Sequence, residues 1–437
     1  MSTVCSRNDG TDREGYRGKW AILGIVTVTH VMSSYSAVSI QTLAPFLKSD
    51  LGFSHVEIGM LTSVFYAGTF FLSTPLGSLV DRIGEYRILA SGPLVIGLFI
   101  ALVSTANSFS AVSILVALAG VGYAGINPAT GKAVVSRFPP RGRALAMSMK
   151  QNGVPLGGAL VAATLPAFAS AYGWRIALVF GGAVSLVWVI AILCFYRRPR
   201  RSDPDPVFIS LAGGRWSHVG SILKNRDIMI LSFIMLIFQA LQLSLITYFT
   251  LFLKNSLSCS IVAAGGLFAS GNLGGLIGRL CWGYLSDFIL DGKRKLLLIV
   301  MAGASALFCL LFFFINPGFS LVAMGMLVFL FGFVAMGWPG IFLTLVAELS
   351  GSQLAGSAFG VSVGVVSLGV FIGPPTFGFI VDKTGSYSYA WLFFSAAMGV
   401  AALLLPLVRE SGEEGGGGNK ILSPSIDSRK ILPESIT

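Results

Sequence analysis

Few ionisable side chains interrupt the long apolar runs of this sequence, and those few are where chemistry can sit. Arg279 falls inside the run at 261–286, on one four-residue stripe with Gly271, Gly275 and Gly283 and two helical turns from Asn272. A guanidinium in an apolar setting grips a carboxylate, phosphate or sulfonate bidentately. The plain alternative is that Arg279 pairs with helix-end carbonyls, or with Asp287 or Glu348. His30 lies on a polar stripe with Thr27, Ser34 and Gln41. It can line a solute path or carry a proton, or rest as a neutral imidazole against a hydroxyl. Tyr123, Asn127 and Thr130 form a similar stripe, and Gln239 and Gln242 stand close together further on. Such groups orient a ligand or join helices. Lys132 and Lys150 are expected near the cytoplasmic ends of their helices, snorkelling toward the membrane surface or, as the alternative, attracting anions.

The elements that position these residues are membrane spans. The chain is 54% hydrophobic and 11% charged, with a mean hydropathy of +0.80, far from the roughly 25% charge of soluble domains. Apolar segments at 20–47, 56–79, 88–106, 110–136, 144–169 and 174–196 are each close to the about 20 residues that cross a bilayer. Six more follow at 228–252, 261–286, 296–315, 320–347, 357–381 and 388–408. The sequence therefore predicts an all-α polytopic protein of twelve transmembrane helices in two six-helix halves. The expected divisions are a tail at 1–19, a half at 20–196, a loop at 197–227, a second half at 228–408 and a tail at 409–437 that cannot bury a core.

Charge sets the expected orientation. The net charge of +11 is spread over short connections instead of forming one patch, which argues against nucleic acid. With both termini in the cytoplasm, the external connections hold only Lys48, Arg175, Lys254 and Lys383. The protein is expected in the cell (inner) membrane, with an internal membrane as the alternative, and as a monomer in contact with lipid. Cys5, Cys194, Cys259, Cys281 and Cys309 show no disulfide or metal spacing, and no cofactor motif, nucleotide loop or nucleophile constellation is present. No enzyme is predicted.

The turn GSLVDRIGEYR places Gly77, Leu79, Asp81, Arg82, Gly84 and Arg87 between two apolar runs. It resembles the signature between the second and third helices of the major facilitator superfamily, with Glu85 and Tyr86 where basic residues are common. GYLSDFILDGKRK repeats it through Gly283, Leu285 and Asp287, and YGWRIALVF is echoed by YSYAWLFF, as in carriers built from parallel repeats. The resemblance implies that Gly77, Asp81, Arg82, Gly84, Arg87, Gly283 and Asp287 serve conformational gating. It implies that the helices bearing Tyr123, Asn127, Gln239 and Gln242 line a central cavity, and organic-anion carriers of this type also hold a basic residue on the eighth helix.

No acidic residue falls in the middle third of a predicted span, which disfavours a cationic substrate and the usual carboxylate proton carrier. The expectation is a secondary transporter of a small organic anion such as a carboxylate, binding at Arg279, Asn272, His30, Tyr123, Asn127, Gln239 and Gln242, coupled to a proton or a counter-anion. Alternatives are a multidrug or metabolite exporter, which the partial antiporter signature at Gly153–Gly158 touches on, and a non-transporting sensor or assembly protein. A metal carrier is disfavoured by the absence of clustered ligands in the spans. Gly356, Gly360 and Gly364, like Gly271 and Gly275, are expected at close helix contacts.

Overall fold

The computed structural model describes residues 9–138, 146–147, 149–196, 222–290, 293–315, 318–350 and 355–409. Most of the predicted central loop, the far C-terminal tail and the side chain of Asp81 lie outside the described residues. Among those described, twelve helices are long and apolar enough to cross a membrane. In order they are Gly18–Thr42, His55–Leu72, Glu85–Thr105, Phe109–Val134, Met149–Tyr172 and Trp174–Phe195, then Arg226–Ser256, Ile261–Ile289, Arg294–Phe314, Leu321–Ser350, Gly360–Thr384 and Tyr387–Leu407. Helices dominate because lipid offers no partner for backbone N–H and C=O groups, so each segment must satisfy its own.

Span number and order match the sequence reading, while the bounds shift. The first helix begins at Asp9, before the apolar run. The fourth span is two helices, Phe109–Ala124 and Ile126–Val135, which meet at Gly125 shortly before Pro128. The tenth is broken likewise, Leu321–Ala335 then Pro339–Ser350, with proline at the first position of the second piece, where its missing N–H costs nothing. Gly84 joins the second and third spans at φ +88 and ψ 151, ending one helix and starting the next. Its N–H still reaches Val80 O at 3.0 Å, and a side chain would be strained in this backbone conformation.

The packing scheme repeats. In the first half the first span packs on the fifth, the second on the fourth and the third on the sixth. In the second half the seventh packs on the eleventh, the eighth on the tenth and the ninth on the twelfth. Between halves the fifth packs on the eighth, and the eleventh on the second. Every principal pair thus has its counterpart six spans later, the pseudo-two-fold arrangement of two parallel repeats.

Small residues make these seams. Gly120 lies against the backbone of Phe65, Gly278 against that of Phe333, and Gly332 against that of Gly271, approaches that leave no room for a Cβ. Gly271 and Gly275 make the close helix contact expected of them, against Val328 and Met336 of the tenth span, while Gly283 meets no heavy atom within 4 Å. A second expectation is corrected. Gly360 and Gly364, expected at a close contact, also meet nothing within 4 Å. Four-residue spacing specifies a smooth helix face, and only the neighbour decides whether that face is used.

The two kinds of glycine make a test. Gly278→Val forces a side chain into the Phe333 backbone and is expected to destabilise by about 1–3 kcal/mol. Gly283→Val enters open space and is expected to leave thermal stability in detergent within about 0.5 kcal/mol.

Candidate functional site

One end of the molecule is closed by bonds between halves. Ser54 caps the second span and Glu57 completes the capping box, which leaves the first N–H groups of that helix to be satisfied from outside. Asp382 of the eleventh span does so, accepting from His55 N at 3.1 Å and Val56 N at 2.9 Å, with the His55 imidazole Nδ1 at 2.6 Å. Carboxylate and helix N-terminus attract each other electrostatically. His55 Nε2 also meets Tyr387 OH at 2.8 Å, and Tyr248 OH donates to His55 O. Deeper in, Thr62 and Thr247 share a hydrogen bond of 2.8 Å, and Ser63 donates to Val370 O at 2.9 Å.

At the opposite end the ion pairs among the described residues stay within each half. Arg137 meets Glu85 at 3.2 Å, and Arg294 holds Asp287 at 3.0 Å and Glu348. Asn127 is exposed in the second piece of the broken fourth span, and Gly360 and Gly364 meet no heavy atom within 4 Å. Between described residues no hydrogen bond or ion pair joins the halves at the end that carries the Gly77–Arg87 turn, so this is the open end, and the space between the halves there is the candidate cleft.

Two cations lie toward this end of the fifth and eighth spans. Lys150 is only 4% exposed, so it does not snorkel as expected; it donates to Thr130 Oγ1 at 3.0 Å and reaches Asn127 O at 3.5 Å. Thr130 in turn donates to Ile126 O at 2.7 Å and meets His30 Nε2 at 2.8 Å. With its hydrogen on Ile126 and one lone pair on the ammonium, the hydroxyl has one lone pair left for an Nε2–H. That leaves His30 Nδ1 as a buried acceptor with no partner among the described residues.

Arg279 is half-buried and donates Nε–H to Met336 O at 3.2 Å, a carbonyl freed by the break in the tenth span. Neither Asp287 nor Glu348 holds it, since Arg294 takes both. It lies within electrostatic reach of Tyr123, whose hydroxyl meets Ser34 at 3.2 Å. Among the described residues neither Lys150 nor Arg279 has a carboxylate within ion-pair distance.

The structure thus joins His30, Thr130, Lys150 and the Asn127 carbonyl in one hydrogen-bonded group and sets Tyr123 and Arg279 within electrostatic reach of each other. It places the other expected residues elsewhere. Asn272 is buried, donates to Phe268 O at 3.0 Å and packs on Gly158 of the fifth span, so it joins the halves. Gln239 lies beside Gly369, and Gln242 accepts from Trp338 Nε1 at 2.9 Å, which makes both helix contacts. Of the turn residues, Arg82 and Arg87 are exposed and Gly77 sits 3.8 Å from Pro128. The His55–Asp382 pair escaped the sequence reading; its one signal is an acid and a histidine at the ends of two predicted spans.

A bundle of two pseudo-symmetric six-span halves, closed at one end and open to a charged cleft at the other, is the architecture of an alternating-access carrier. Residues 25–374 match the family model described as Major Facilitator Superfamily, and the chain belongs to that family. It is 25% identical to the hexuronate transporter of Bacillus subtilis (strain 168), over 85% of this chain and 91% of that protein. It is 23% identical to the probable sulfoacetate transporter SauU of Cupriavidus necator, over 87% and 92%. The fold resembles the crystal structure of the nucleoside transporter NupG (D323A mutant), with a TM-score of 0.72 at 14% identity, covering 89% of this chain and 100% of that one.

The closed end gives a prediction. Asp382→Asn removes the charge that caps the second span, so amide hydrogen exchange over residues 55–63 should quicken by about tenfold or more relative to the native protein. Exchange around the Glu85–Arg137 pair at the other end should be unchanged.

Proposed function

We propose that this protein is a secondary active transporter of a small organic anion, with Arg279 as the principal counter-charge. The observation that carries the reading is a guanidinium on the cleft, held by one carbonyl through Nε and given no carboxylate by the described residues. Such a group is costly in an apolar protein unless it has a task, and its two Nη atoms suit a carboxylate or sulfonate. The named relatives agree in charge: hexuronate and sulfoacetate are both anions.

The Lys and Arg distribution puts both termini in the cytoplasm, most simply at the cell membrane. The open cleft then faces inward and the His55–Asp382 seam outward. Transport follows from rocking the halves about the bound anion: the outer seam breaks, the fifth and eighth spans close below, and the site is exposed outside. His30, Tyr123 and Asn127 orient the solute. A proton or a counter-anion supplies the driving force, and one chain suffices for the cycle. The turn residues Gly77, Asp81, Arg82, Gly84, Arg87, Gly283 and Asp287 serve the inner gate in this cycle.

The test is binding and uptake by the purified protein in liposomes, with a panel of hexuronates, sulfonates and neutral lipophiles. Arg279→Gln is expected to weaken anion binding by about 10-fold to 100-fold, the worth of a charge-assisted hydrogen bond, while the variant stays folded. Unchanged anion binding removes Arg279 from the site. Stabilisation by neutral lipophiles alone replaces the anion carrier with an exporter.

A further inference from the structure

We infer that the cleft selects dianions, taking one acidic group on Arg279 and the other on Lys150, so that the substrate bridges the two halves. This rests on the anion-carrier reading and adds to it a second cation and a substrate charge. Lys150 is buried, and both of its protein contacts are neutral oxygens, those of Thr130 and Asn127. An ammonium has three donors and no acceptor, so two neutral contacts leave one donor and the whole charge uncompensated. A buried charge in that condition calls for a counter-ion.

The register of the helices brings the two cations together. The fifth and eighth spans run antiparallel, with Gly158 against Asn272 and, nearer the closed end, Ala162 and Pro166 against Gly265. About two turns further toward the open end, the same register sets the backbone of Lys150 level with that of Arg279, whose side chain turns back toward the closed end to Met336, the neighbour of Gly275. Both also face the polar stripe of the fourth span, Arg279 near Tyr123 and Lys150 at Thr130. Those two stripe residues are separated by about 10 Å along a helix, with the exposed Asn127 between them. A diacid of roughly four to six carbons, with a contact of about 2.8 Å at each end, fills that interval. A monoanion satisfies only one of the two cations.

The experiment compares diacids with their half-amides, which keep length and shape and lose one charge. Binding to the full-length purified protein is measured by titration with succinate and adipate and with succinamate and adipamate. Native protein should bind at least one diacid about tenfold or more tighter than its half-amide. Lys150→Gln should abolish that preference while half-amide binding through Arg279 persists, and Lys150→Arg should restore it.

Equal affinity for diacid and half-amide in the native protein overturns the inference, and this holds even if neutral variants at 150 do not fold. A ratio unchanged by Lys150→Gln overturns it as well. In both cases half-amide binding that still depends on Arg279 leaves the anion-carrier reading standing. Failure of every anion of either charge to bind the native protein removes both.

Discussion

Asp382 carries the conformation seen here. A helix that starts inside or at the edge of a membrane presents N–H groups that lipid cannot satisfy. The second span has its own cap in Ser54 and Glu57, and still takes a carboxylate from the other half onto His55 and Val56. Around that contact the Tyr248, Tyr387, Thr62–Thr247 and Ser63 bonds form a seam from the closed end toward the middle of the bundle. Because these bonds are exchanged for water when the halves part, the seam is strong enough to define a state and weak enough to be left.

The other end follows the opposite rule. Glu85 opens the third span and meets Arg137 at the end of the fourth; Arg294 opens the ninth and meets Glu348 at the end of the tenth. The two pairs occupy equivalent places in the two halves with their charges exchanged. These pairs, among the described residues, lie within one half each and do not tie the halves together. Glu85, which departs from the basic residues common at its place in the turn, is accounted for: it is 5% exposed and also accepts from Tyr196 OH at 3.3 Å.

Set against these satisfied pairs, the cleft is electrostatically incomplete. Lys150 and Arg279 belong to different halves, each is tied to its own half by neutral oxygens, and neither has a carboxylate within ion-pair distance among the described residues. The breaks in the fourth and tenth spans make this possible, since they free the backbone near Thr130 and the carbonyl of Met336 that hold the two side chains. An outer groove of about 500 Å³ between the eighth and tenth spans, lined by Ser270, Val322 and Phe329 among others, is apolar and offers no such chemistry.

What the sequence determined by itself is the set of local properties. Span number and order follow from runs of about 20 apolar residues, the halves from a repeated motif, and the turn between the second and third spans from Gly84, which sits at φ +88. Arg279 was legible as a site because a charge inside an apolar run is costly wherever the helix points. The tertiary structure alone decided who meets whom. Lys150 read as a snorkelling helix-end lysine until the fourth span was placed over it, and Asn272, Gln239 and Gln242 read as cavity groups until Gly158, Gly369 and Trp338 were set against them. His55 and Asp382 are joined across more than 300 residues of sequence. Hydropathy and helical period fix which stretches span the membrane and which residues share a face. They carry no information about the rotation and register of helices that meet through space, and that is what turned a list of polar residues into a seam and a cleft.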